Sequence, residues 1–132
     1  MMKQHSGVII FITSIPVRGT TPNVAAIGTA FGAMEALLRC LAVDLGSAGV
    51  RVVGIRSGAM VDTRTMQQTF ENIAQTLDVS QEQVVPMLEQ GALLGSLSIV
   101  ADTARVAAFL ASDEARTLTG AIVNASSGKV ID

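Results

Sequence analysis

The sequence predicts an α/β fold, a parallel sheet of about three strands with flanking helices, and three observations carry that prediction. Two runs rich in β-branched residues, Gly7 to Thr13 and Val50 to Ile55, are apolar without alternation, as strands covered on both faces of a parallel sheet are. Between them lies a long stretch with apolar residues every three or four positions, the mark of a helix lying on a core. A third apolar run, Ala121 to Asn124, closes the chain as another strand.

In chain order, Gly7-Val8-Ile9-Ile10-Phe11-Ile12-Thr13 is the first strand. The helix follows over 24–45, where Ile27, Phe31, Met34, Leu38, Leu41, Ala42 and Leu45 share a face and Gly46 and Gly49 supply the stop. Val50 to Ile55 is the second strand. From Thr65 to Gln90 the pattern is helical and holds two capping-box signatures, Thr65 with Gln68 and Ser80 with Gln83, which predicts two short helices. A further helix runs from Ala101 to Ala111, with Ser98 or Asp102 as its cap. No linker, repeat or low-complexity tract interrupts this order, so residues 1–132 read as one domain.

Composition narrows the function classes. Hydrophobic residues make up 49% and charged residues 15% of the 132, against about 25% charge in ordinary globular domains. The excess points either to a membrane or to surface buried against a partner. Thr29, Glu35, Arg39 and Asp44 interrupt the most apolar stretch, so it is not read as a spanning run of about 20 apolar residues. The first seven residues lack the apolar core of a secretory signal, and a cytoplasmic protein is expected. A net charge of -2 with no Trp or Tyr offers neither a basic footprint nor stacking platforms for nucleic acid. Cys40 is the one cysteine and His5 the one histidine. A metal site is therefore not expected; Cys40 is read as a small buried apolar group, and His5 has no partners at triad spacing.

Set in order, the segments resemble one family. Gly7 to Ser14 is similar to the strand that ends in the active-site serine of short-chain dehydrogenases/reductases. Leu41-Ala42-Val43-Asp44-Leu45 with Gly49-Val50-Arg51-Val52 resembles that family's next helix end and strand, and Ser57-Gly58 stands where the family has Pro-Gly. Leu94 to Leu97, Val106 to Ala115 and Leu118 to Asn124 resemble its last helix and strand. The resemblance runs from about Gly7 to Gly128 and implies a partial Rossmann-like, doubly wound parallel sheet, the carboxyl-terminal half of a domain that binds NAD or NADP across its strand ends. The Gly-rich turn that seats the pyrophosphate is not found in this sequence.

The same resemblance locates the chemistry. In the family a tyrosine exchanges a proton with the substrate oxygen, a lysine four residues on lowers the tyrosine pKa and holds the ribose, and a serine orients the carbonyl. If Ser14 is that serine, the tyrosine belongs at position 27 and the lysine at 31, and these are Ile27 and Phe31. No shift of register restores them, because the chain has no tyrosine and its only lysines are Lys3 and Lys129. Ser14 is left as a vestigial catalytic candidate. Gly58 and Thr63 are vestigial cofactor contacts, with Thr63 one residue further from Ser57 than the family's Pro-Gly-x-x-x-Thr spacing allows. Ser126-Ser127-Gly128 stands where Asp-Gly-Gly is usual. Members of the family without the tyrosine and lysine exist, so their loss need not be an error; with the pyrophosphate turn missing as well, no cofactor is expected on this chain alone, and NAD(P) enters by resemblance only.

Partners follow from the same reading. Gly28 and Gly32 leave a bare strip on the long helix where another backbone can approach, and in the family this helix lies in the subunit interface. A homo-oligomer through helix 24–45 is expected, or pairing of the first strand's open edge with a separate amino-terminal half. Met60, Met66 and Met87 are expected as core filling in the helical insert. Three functions stay open: an inactive interaction protein, an oxidoreductase subunit completed by another chain, and a truncated reading frame.

Overall fold

The structure, a computed structural model, describes residues 1–19 and 23–132. Among them three strands form one parallel sheet: β1 (Gly7–Ser14), β2 (Val50–Ser57) and β3 (Ile122–Ala125), in the order β1-β2-β3. Four helices accompany them: α1 (Ala25–Gly46), α2 (Arg64–Leu77), α3 (Gln81–Glu89) and α4 (Val100–Ala111). The expected α/β class and strand count are observed.

Side-chain alternation along the strands sorts the core into two layers. On one face Leu38 and Ala42 of α1 pack against Val52, with Ile9, Phe11 and Ile122 around them. On the other, Leu110 of α4 packs against Val53 and Ile55, with Val8, Ile10 and Val123. Gly54 explains how closely α1 sits, since a Cβ at that position would lie 2.7 Å from Leu38 Cδ1. Phe70, Ala74 and Val84 hold α2 to α3 in a small separate cluster. Met66 packs against it, as expected of filler, whereas Met87 is exposed.

Several local expectations change. β1 is an edge strand, half-buried along most of its length, with Ile12 41% exposed; only central β2 is covered as a continuous apolar run implies. Cys40 is exposed, because Leu38 and Ala42 supply the buried face of α1 and Cys40 falls outside it. The cap of α2 is Thr63, whose Oγ1 accepts from Met66 N at 3.3 Å; Thr65 lies inside the helix, and Gln68 bonds Glu71 instead. Gln83 does reach back, its Oε1 accepting from Ser80 N at 3.0 Å. At α4 the N-cap is Ile99, and Asp102 serves from the third helical position, accepting from Ile99 N at 3.1 Å. Ser98 Oγ donates to Ala59 O instead.

The glycine strip on α1 has an occupant within the chain. A Cβ on Gly28 would lie 2.8 Å from the carbonyl oxygen of Pro16, and one on Gly32 would touch Val17 at 3.7 Å. The short 3-10 turn Ile15–Arg18 after β1 therefore fills the space that the sequence suggests for a second subunit.

Candidate functional site at the carboxyl ends of the strands

In an open α/β sheet, ligands bind outside the carboxyl ends of the strands. Here those ends are Thr13-Ser14, Arg56-Ser57 and Asn124-Ala125, level with one another in the parallel register. Ser14 and Ser57 tie their strands together: Ser14 Oγ donates to Ser57 O at 3.3 Å, and Ser57 Oγ donates to Thr13 O at 3.1 Å. Ser14 is thus at the strand end as expected, with its hydroxyl engaged by a neighbouring backbone.

Gly58 and Thr63 are likewise committed inside the fold. Gly58 N donates to Ala125 O at 3.2 Å, and a Cβ on Gly58 would stand 3.2 Å from Ser126 Cα, so close strand-end packing accounts for this glycine. Thr63 Oγ1 donates to Met60 O at 2.9 Å while it caps α2. Ile27 and Phe31 lie one turn apart near the start of α1; Ile27 is 52% exposed and Phe31 half-buried. Neither carries a group that can donate, accept or hold a proton. A shallow groove of about 450 Å³ beside them is lined by Pro16, Val17, Asn23, Val24, Gly28 and Thr29, with no acid or base among its described lining residues. The residues of this rim do not fit a nicotinamide cofactor: the hydroxyls of Ser14, Ser57 and Thr63 are engaged within the fold, and the two positions that would face ribose and substrate are hydrocarbon.

The sequence reading missed the strongest electrostatic feature of the rim. Glu35 of α1 and Arg56 of β2 are buried together. Arg56 Nε donates to Glu35 Oε1 and Nη2 to Oε2, both at 2.9 Å, a side-on fork. Thr13 Oγ1 donates to Glu35 Oε1 at 3.1 Å. Burial alone would raise the Glu35 pKa, but the hydrogen bonds and charge of Arg56, aided by Thr13 and Arg39, hold it below its ordinary value. Arg56 is correspondingly raised by its bond to Glu35, against the opposing effect of burial. The signal was an acid in the middle of an apolar helix and a base near the end of an apolar strand. This pair also bears on α1, which is long and apolar enough to cross a membrane by length and composition but is laid on the sheet and bound to it through Glu35.

Comparison with known proteins agrees with the architecture. The family model described as enoyl-(acyl carrier protein) reductase matches residues 1–129. The chain is 30% identical over 127 residues to versicolorin reductase of Emericella nidulans, covering 95% of this chain and 48% of that protein. It is also 30% identical over 134 residues to the 7alpha-hydroxysteroid dehydrogenase of Escherichia coli, covering 98% and 47%. Among solved structures, sorbitol-6-phosphate 2-dehydrogenase of Erwinia amylovora superposes with a TM-score of 0.93 at 26% identity, over 100% of this chain and 52% of that one. A xylitol dehydrogenase with bound NAD+ gives 0.87 at 26% identity, over 97% and 51%. The chain spans about half the length of the relatives it matches. With the family model matched over residues 1–129 and relatives aligned over nearly the whole chain, the chain belongs to the short-chain dehydrogenase/reductase family.

Proposed function

We propose that this chain is a non-catalytic member of the family, a cytoplasmic protein that works by association and does not transfer hydride itself. One observation carries the reading: Ile27 and Phe31 stand where the family's proton-transferring tyrosine and its lysine belong. Removing a positioned general acid costs a factor of about 100 to 10,000, and the neighbouring hydroxyls of Ser14 and Thr63 are engaged elsewhere. Association has two supports. Only 17% of the apolar α1 window is buried, leaving Ile27, Leu37 and Val43 exposed, and β1 presents an open edge. We take the partner to be a second copy through α1.

The second reading, an oxidoreductase subunit completed by another chain with the nucleotide-binding half, draws on the TM-score of 0.93 against half of a longer dehydrogenase. In that case NAD(P) would be held chiefly by the other chain. The test joins sedimentation of the purified chain over a range of concentrations to an assay of reduced-nicotinamide consumption with a panel of ketones. A dimer without turnover is expected. Turnover by the isolated chain, or a monomer that stays folded on dilution, would sink the proposal.

A further inference from the structure

Arg56 keeps one nitrogen out of its fork with Glu35. Its Nη1 donates to Oδ1 of Asp132, beyond β3. Arg18, in the turn after β1, brings its Nε within 3.9 Å of the same oxygen. One carboxylate therefore sits between two guanidinium groups at the ligand-binding end of the sheet. The segment that delivers it is anchored just upstream. Val130 is buried, its carbonyl accepts from Asn124 Nδ2 at 2.8 Å, and its N–H donates to Ser126 Oγ at 3.4 Å.

We propose that Arg56 and Arg18 form a seat for a small monocarboxylate and that the chain's own Asp132 fills it as an internal ligand. The charges match this role. Glu35 neutralises Arg56 from the α1 side through Nε and Nη2, which fixes the guanidinium plane and leaves Nη1 aimed at the Asp132 carboxylate. A planar, pre-positioned fork loses little freedom on binding a carboxylate. Arg18, 44% exposed at its side chain, adds a second positive charge at the mouth. The Asp132 side chain is 43% exposed, so it can swing out into solvent while Glu35 and Arg56 stay paired. This site uses neither Ile27 and Phe31 nor the vestigial Ser14.

The test is melting of the full chain by circular dichroism in sodium acetate and in sodium chloride of equal ionic strength. Asp132→Asn keeps the shape and removes the charge; Asp132→Glu keeps the charge on a longer stem. The expected result is a fall in Tm of about 3 °C for Asp132→Asn, with at least half of it regained in acetate beyond chloride, and a smaller fall for Asp132→Glu. Wild type, its seat already filled, should respond alike to the two salts. Two results would overturn the proposal: equal melting of Asp132→Asn and wild type, or a loss that acetate repairs no better than chloride. If Asp132→Asn does not fold, Asp132→Glu decides: failure of both charge states alike would show that packing of the tail, not a carboxylate seat, is what Asp132 provides.

Discussion

The middle and the carboxyl end of the same three strands follow different rules. In the middle, Val52, Val53 and Ile55 are fully buried between Leu38 of α1 and Leu110 of α4, and hydrophobic burial holds the layers together at roughly 25 cal/mol per Å² of apolar surface. One turn of pleat further on, Thr13, Arg56 and Glu35 are buried just as deeply, and what holds them is complementary charge with its hydrogen bonds. The core holds the architecture through apolar residues packed on both faces of the sheet. At the rim, Thr13, Ser14, Glu35, Arg56 and Ser57 bond one another or the neighbouring backbone. Fold and chemistry can part company within a few residues of one strand, since function resides in the site and not in the scaffold.

The sharpest way to break this contrast is to take from a buried charge its buried partner. Glu35→Ala should cost about 3 kcal/mol, measured by denaturant unfolding, because Arg56 would then be buried without its fork partner. Replacing both residues by Met should restore most of that loss. The acid limb follows from the same pair. Since Glu35 is held below its ordinary pKa, the stability it contributes is complete above the unfolded-state value and fades as pH falls through the lower folded-state value. Melting temperature should stay level through mildly acidic pH and drop in strong acid, with a shallower drop in Glu35→Ala.

In the middle of the sheet, Gly54→Val should destabilise by about 1–3 kcal/mol through overpacking against Leu38. An unchanged unfolding midpoint would mean that α1 rides more loosely than this contact requires. The smallest effect concerns the rim. Thr63→Ala should cost about 1 kcal/mol as a lost helix cap. A change in nucleotide affinity without that loss would return Thr63 to the cofactor.

Most of the middle was legible in the sequence, and much of the rim was not. Strand and helix limits came within a few residues because apolar periodicity reports burial directly, as Leu38, Ala42 and Val52 show. The absence of the tyrosine and lysine was also plain, being a matter of composition. What stayed hidden depended on which groups meet in space. Glu35 read as a charge that spoiled a membrane span, and nothing in its spacing from Arg56, 21 residues on, announced a fork between helix and strand. Gly28 read as a docking strip, while Pro16 of the same chain lies against it. Cys40 read as buried because free cysteines usually are; its place on α1 outside the Leu38 face decided otherwise. Thr63 lies one residue beyond the family's cofactor spacing, and nothing in that spacing announced that its hydroxyl caps α2.

The central claim is that the groups at the strand ends are spent on one another and leave no seat for a nicotinamide nucleotide on this chain. Calorimetric titration of NADH and NADPH into the purified chain, at a concentration where light scattering has fixed its oligomeric state, tests it most directly. The account predicts no binding heat for either nucleotide together with a stable dimer; saturable binding at micromolar strength would contradict it.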